Sequence, residues 1–218
     1  MGSFLVIGMG RFGSSVAIEL YKMKNEVLAV DMSEDRATEI MNHVTDVVVG
    51  DAKDEAVLQS LDVKNFDGVI VAMAGSIEDS ILITMMLKEL GAKSVVCKAQ
   101  NERHARILTQ LGADRVIRPE YDMGIRVARS VAQRNMVDFL EISPDYCVME
   151  VVTPKHWVGK SIVKNNLRRK YGVTVIAIRC AKTDKVKFSP DAEVVLCEGD
   201  ILTLIGSKHE MDTICVLK

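Results

Sequence analysis

Phe4-Leu5-Val6-Ile7-Gly8-Met9-Gly10-Arg11-Phe12-Gly13 is the stretch from which the fold of this chain is read. The first four residues are a continuous apolar run, the mark of a strand buried on both faces. Three glycines follow in a GxGxxG spacing. Gly8 lets the strand turn sharply, Gly10 lets backbone come close to a phosphate, and Gly13 lets a helix pack tightly on the sheet. Val16, Ala17 and Leu20 then recur at helical spacing. A second apolar run, Val27 to Val30, ends in Asp31, where a carboxylate can accept hydrogen bonds from both hydroxyls of a ribose. The start of the helix offers unpaired N–H groups and a positive dipole end to an anion. Strand, glycine loop, helix, second strand and acid together predict nucleotide binding; glycines serving a tight turn are the plainer alternative.

The same alternation continues outward. Ser33 can cap a helix running to Met41, with Glu34 and Asp35 in its first turn. Val47–Val49 reads as a third strand, Asp54–Leu61 as a helix and Val69–Ala72 as a fourth strand. A helix from Ile77 to Leu90 stops at Gly91. Val95–Lys98 is a fifth strand, Glu102–Leu111 a helix ended by Gly112, and Arg115–Ile117 a short sixth strand before Pro119. This is the pattern of an α/β, Rossmann-like, doubly wound parallel sheet, whose ligands sit at the carboxyl ends of the strands. Arg11, Asp31, Asp51, Ala52, Met73, Ala74 and Lys98 fall at such ends, and Met9, Phe12 and Met32 adjoin them.

Asp122–Val137 reads as one long helix with apolar groups on more than one side. It suits a linker, an arm exchanged with another subunit, or a last covering helix of the sheet. From Phe139 the pattern becomes that of a small α+β module. It has strands at Tyr146–Val152, Val173–Ile178, Lys187–Phe188, Glu193–Leu196 and Ile201–Gly206, and helices at Ser161–Lys170 and Lys208–Val216. The expected division is residues 1–120, a linker at 121–138, and 139–218.

Composition excludes several classes. The 218 residues are 48% apolar and 27% charged with a net charge of −2, so no broad electrostatic footprint for nucleic acid is present. No apolar run approaches the roughly 20 residues that span a bilayer. The chain enters its first strand too early for a signal peptide. Cys97, Cys147, Cys180, Cys197 and Cys215 form no CxxC pair; most lie in apolar runs, so reduced core thiols in a cytosolic protein are expected. His43 and His104 read as polar surface residues, and no GxSxG, HExxH or Walker lysine occurs.

GMGRFG at Gly8–Gly13, VDMSEDR around Asp31, GDAKDEAVL from Gly50, VIVAM, VCKAQN, LGADRVIRPEYDMG and EGDILTLIG together resemble one family over essentially the whole chain. The chain resembles the cytosolic gating subunits of Trk/Ktr-type bacterial potassium transporters, with TrkA-N and TrkA-C domains. The resemblance implies ATP or ADP, and in some members NAD(H), in the first domain. Arg11 would then reach terminal phosphates or a neighbour's nucleotide, which suits a sensor that tells ATP from ADP. Asp31 would hold the ribose and oppose a 2′-phosphate, Asp51 and Ala52 would flank the adenine, and Lys98 would be a phosphate or interface cation. Glu120 would face Mg²⁺ or Ca²⁺ at a subunit interface. Each also has a plainer reading: solvated charges for Arg11 and Lys98, a dipole-favoured acid for Glu120. The resemblance further implies homodimers assembled into an octameric ring, cytoplasmic and peripheral to the membrane through a potassium channel subunit. It implies cyclic di-AMP at Arg169, Val175 and Ile178 in some members; ordinary dimer core is the alternative there. A small NAD-dependent oxidoreductase and a nucleotide-binding repressor are the other classes the fold allows. The first lacks a positioned acid or base, and the second lacks a winged-helix region.

Overall fold

A computed structural model describes residues 1–73, 75–132 and 135–215. Among these residues the apolar runs of the first half become β1 (Ser3–Ile7), β2 (Glu26–Asp31), β3 (Asp46–Val49), β4 (Gly68–Val71), β5 (Val95–Lys98) and β6 (Arg115–Ile117). All pair in parallel, in the order β3-β2-β1-β4-β5-β6. Helices α1 (Arg11–Lys22), α2 (Glu34–Ile40), α3 (Glu55–Ser60), α4 (Ile77–Glu89) and α5 (Glu102–Gln110) connect them. The winding reverses between β1 and β4, and the crevice beyond their carboxyl ends is where such sheets hold ligands.

The two-residue side-chain period explains why whole runs are apolar. Leu5 and Ile7 pack with Val69, Val71, Leu58, Ile83, Leu87 and Leu108. Val6 points the other way, to Ala17, Val27, Ala29, Ile40 and Ile70. Both faces are covered, as a parallel sheet requires. Helix starts are set by side chains that accept from the first-turn N–H groups: Ser33 from Arg36, Asp54 from Ala56, Ser76 from Asp79 and Asn101 from His104. Gly91 and Gly112 follow the ends of α4 and α5 with φ of +79° and +91°, the left-handed geometry that closes a helix.

Contacts divide the chain into Met1–Pro119 and Glu120–Lys218. In the second unit α6 (Pro119–Ala132) precedes an antiparallel sheet. Its strands are β7 (Met136–Glu141), β8 (Tyr146–Val152), β9 (Thr174–Arg179), β10 (Val186–Phe188) and β11 (Ile201–Ser207), in the order β10-β9-β11-β8-β7. Short helices α7 (Ile162–Asn165) and α8 (Leu167–Tyr171) and a final α9 (Lys208–Cys215) complete it. Cys147, Met149, Val151, Leu202 and Leu204 alternate inward onto Met211, Ile214 and Trp157.

Four sequence readings are corrected. The helix expected at Asp122–Val137 begins at Pro119, whose missing N–H costs nothing in a first turn, and Val137 lies in β7 instead. There the antiparallel partner β8, Met136 opposite Val151, outweighs the local helical spacing. The helix expected at Ser161–Lys170 is broken at Asn166, which is left-handed with φ +52°. Glu193–Leu196 is not a strand; Val194 N–H closes a turn onto Asp191, and Val195 makes one isolated bridge to Ser161. Finally, Cys97, Cys147 and Cys215 are core thiols, but Cys180 is half-buried and Cys197 exposed.

Candidate functional site

At the end of β1, Gly8 takes φ +95° and its N–H donates to Val30 O at 2.8 Å, so the loop turns while staying tied to β2. A Cβ on Gly13 would lie 1.9 Å from Gly8 O; the close approach of α1 to the loop therefore requires glycine there. A Cβ on Gly10 would meet nothing within 4 Å, leaving open space directly before the helix. Gly10 is also the N-cap of α1, with no side-chain cap and no acid in the first turn. The positive end of α1 is therefore presented outward. The start of α4 differs: Ser76 caps it, and Glu78 and Asp79 already lie in its first turn.

Asp31 closes the loop from the other side. It is 5% exposed, and Met9 N–H donates to its Oδ2 at 2.6 Å and Ser33 N–H to its Oδ1 at 2.9 Å. Arg36 Nη1 stands 3.7 Å from Oδ2. One carboxylate thus fixes the glycine loop relative to β2 and keeps lone pairs for a ligand, since each oxygen can accept twice.

Between these groups lies a cleft of 420 Å³, within the roughly 300–1,000 Å³ usual for small-ligand sites. Its apolar wall includes Ile7, Val30, Ala52, Ala72 and Met73. Its polar rim has Asp31, Arg36, Asp51, Ser76 and Asp79. Lys53 Nζ bridges the last two acids, 3.7 Å from Asp51 Oδ2 and 3.5 Å from Asp79 Oδ2.

The cleft brings together Gly8, Gly10, Asp31, Met32, Asp51, Ala52 and Met73 of the residues singled out from sequence. Met9 is buried beneath it and acts through its N–H on Asp31. Gly13 is buried in the first turn of α1. Arg11 is exposed and does not line the cleft. Lys98 is buried at the end of β5 with its ammonium 5.8 Å from the centroid of Phe12, a cation–π placement beside the start of α1. Ala74 lies outside the described residues. Glu120 is exposed in the first turn of α6, and among the described residues no group of three or more His, Cys, Asp or Glu could hold a metal ion. Arg169 is exposed on α8, while Val175 is half-buried against, and Ile178 buried in, the second unit's own core.

Sequence reasoning missed Arg36, Ser76 and Asp79. Ser76-Ile77-Glu78-Asp79 carried a usable signal, a cap serine with acids in the first turn after β4. Arg36 carried none, because its direction depends on how α2 packs.

His104 corrects the expectation of a surface residue. It is 1% exposed; its Nδ1 accepts from Gln100 N–H at 3.3 Å, and among the described residues its Nε2 has no hydrogen-bond partner. Burial lowers its pKa below 6.5 by disfavouring the cation. The unfolded chain then binds the proton more readily, so stability falls as pH drops through 6.5 toward the folded value. Thermal melts at pH 7.5 and 5.5 are expected to show His104→Gln losing less Tm on acidification than the native chain; equal losses would exclude His104 as a source of acid sensitivity.

Comparison with known proteins places this arrangement. Residues 4–119 match the TrkA-N domain and residues 148–217 the TrkA-C domain. The chain is 41% identical to Ktr system potassium uptake protein C of Bacillus subtilis over 204 residues, covering 94% of this chain and 91% of that one. It is 39% identical to Ktr system potassium uptake protein A of the same organism, covering 95% and 93%. Among solved structures, the GsuK RCK domain superposes with a TM-score of 0.70 at 20% identity, covering 99% of this chain and 47% of that chain. The GsuK channel bound to NAD gives 0.68 at 21% identity, covering 96% and 38%. This chain therefore spans less than half of either solved chain, and the likeness shows the fold alone. Two family models covering most of its length and close relatives matched nearly end to end show that the chain belongs to the TrkA-N/TrkA-C family that includes the Ktr potassium uptake proteins.

Proposed function

We propose that this chain is a cytoplasmic regulatory subunit that binds an adenine nucleotide and controls potassium flux through a separate membrane subunit. The observation that carries the reading is the uncapped, acid-free start of α1 behind the open space at Gly10, facing the same cleft as Asp31. Phosphate at the first, ribose at the second and adenine beside Asp51 and Ala52 would fill the cleft from end to end. ATP, ADP and NAD(H) share that part. A related channel structure has NAD bound, and another GsuK structure, similar in fold at a TM-score of 0.53, has ADP.

The polar rim suits holding a ligand better than moving a proton. Asp31 holds the loop, Ser76 caps α4, and Asp51 and Asp79 share Lys53. That arrangement favours a regulatory site over a catalytic one. A ligand shifts a conformational equilibrium only by its differential affinity for the two states. The terminal phosphate supplies that difference if Arg11, exposed just beyond the cleft, reaches it in its own or a neighbouring subunit.

Assembly into dimers and an octameric ring would carry the signal. Tyr121, Met123, Val127 and Val131 of α6 are each more than half exposed, an apolar face suited to another subunit. Arg126 pairs bidentately with Asp138, and Arg129 lies 4.3 Å from the centroid of Phe139, so α6 is clamped to β7. A displacement of α6 would therefore move the second unit's sheet. Among the described residues Glu120 belongs to no group of three or more potential ligands, so a divalent cation there would need donors from the nucleotide or a second subunit. Cyclic di-AMP finds support here in exposed Arg169 only.

Arg11→Ala is expected to weaken ATP by about tenfold and ADP by much less, since a charge-assisted contact to the terminal phosphate is lost. Calorimetric titration of both variants measures it; equal losses for ATP, ADP and NADH would remove the phosphate-reading role. Light scattering after size exclusion, with and without ATP, tests the ring, and a monomer under both conditions would exclude it.

A further inference from the structure

Among the described residues that line the cleft, Arg36 is the one Lys or Arg, against three acids, Asp31, Asp51 and Asp79. The acids already have partners within the protein. Lys53 stands between Asp51 and Asp79, and both oxygens of Asp31 take backbone N–H groups. Arg36 is held differently. Its backbone N–H, in the first turn of α2, donates to Ser33 Oγ, which fixes where the side chain leaves the helix. Its guanidinium stands 3.7 Å from Asp31 Oδ2, beyond hydrogen-bond length. The Arg36 side chain is 56% exposed and that of Asp31 is 4% exposed. An ion pair so open to water on one side is weak, so the guanidinium keeps its planar fork of N–H donors for an incoming anion. Glu34 and Asp35 share the first turn of α2 with it, but neither lines the cleft.

The place of that fork decides what it can read. In the nucleotide cleft proposed above, phosphate lies at Gly10 and the ribose at Asp31. A ribose hydroxyl that donates to Asp31 lies about 2.7 Å from the carboxylate oxygen. A phosphoryl group carried on that hydroxyl comes within reach of a guanidinium 3.7 Å from the same carboxylate. Asp31 by itself repels such a group, and a cation beside it offsets the repulsion. In doubly wound sheets the acid after the second strand takes the 2′-hydroxyl, and a nearby arginine accommodates a 2′-phosphate; here both stand together. We propose that Arg36 sets the selectivity of this cleft at the ribose 2′ position and admits adenine nucleotides that carry a 2′-phosphate, which Asp31 alone would exclude.

Calorimetric titration of the full chain with AMP, adenosine 2′,5′-bisphosphate and adenosine 3′,5′-bisphosphate tests this. Each bisphosphate differs from AMP by one phosphoryl group. The native chain should bind the 2′,5′-bisphosphate within about tenfold of AMP. In Arg36→Ala and Arg36→Gln, the ratio of the 2′,5′-bisphosphate Kd to the AMP Kd should rise by at least about tenfold, the scale of one charge-assisted contact. A general loss of structure would weaken both ligands together and leave that ratio unmoved. Scanning fluorimetry should show the native Tm in at least one of the two variants, since the side chain is exposed. A smaller rise in the ratio, or a native chain that binds the 2′,5′-bisphosphate more than tenfold worse than AMP, overturns the proposal. So does an equal or larger change for the 3′,5′ isomer. The two levels of inference fail separately: AMP bound without Arg36-dependent selectivity counts against Arg36 alone, and no binding of AMP, ADP or either bisphosphate counts against the nucleotide cleft itself.

Discussion

Gly13→Ala is expected to abolish nucleotide binding and to destabilise the first unit. The added Cβ would stand 1.9 Å from Gly8 O and 3.0 Å from the Cβ of Ala72. The first is backbone in the glycine loop itself, so relief requires the loop to move away from α1. Overpacking of this kind costs about 1–3 kcal/mol and more where backbone must shift. The displaced loop would also lose the alignment of the α1 N-terminus. Nucleotide affinity should fall by at least about a hundredfold, the scale of losing several aligned contacts. Gly10→Ala is the informative partner. Its Cβ meets nothing within 4 Å, so the fold should survive with an unchanged Tm, while the methyl occupies the space a phosphate needs. Scanning fluorimetry with calorimetric titration separates the two. A Gly13→Ala protein with native Tm and native affinity would refute the packing argument.

Asp31→Ala should lose both stability and affinity. Its carboxylate takes the Met9 N–H at 2.6 Å and the Ser33 N–H at 2.9 Å from a site only 5% exposed. Leaving a buried donor unsatisfied costs about 1–3 kcal/mol, so Tm should drop by several degrees. The proposed ribose contacts vanish with it, and affinity for ATP, ADP and NADH should fall together by about a hundredfold, two contacts to a charged acceptor. Removal of the negative charge should also narrow the gap between NADH and NADPH, because the repulsion of a 2′-phosphate is gone. Unchanged affinity for all of these would place the ribose elsewhere.

The first sheet was legible because its strands are short, mostly apolar runs that alternate with helices, four of which start at a side-chain cap, so local pattern and tertiary packing agree. Where they diverge, sequence reading failed. Val137, read as the end of a helix, lies instead in β7, which folds back on β8 as an antiparallel hairpin, and that pairing outweighs the local spacing. Asn166 breaks a helix by a left-handed conformation that spacing does not encode. Glu193–Leu196 has strand composition without a neighbouring strand to pair with. The glycine loop and Asp31 were legible for a different reason: the loop's packing requires glycine at Gly8 and Gly13, and Asp31 fixes the loop through the Met9 N–H, so their spacing is set by the fold itself. Arg36 and Asp79 join the cleft because α2 and α4 happen to turn those side chains toward it. His104 sits on a strongly amphipathic helix but at its buried edge, where one residue decides between core and solvent.

Regulation by this chain depends on the cleft beside Gly8–Gly13 binding an adenine nucleotide by its phosphates and ribose. Isothermal titration calorimetry of the full chain with ADP, ATP and NADH tests it most directly. Saturable binding of adenine nucleotide is expected, one per protomer, weakened in Asp31→Ala. No heat and no rise in Tm with any of the three at millimolar concentration would contradict it.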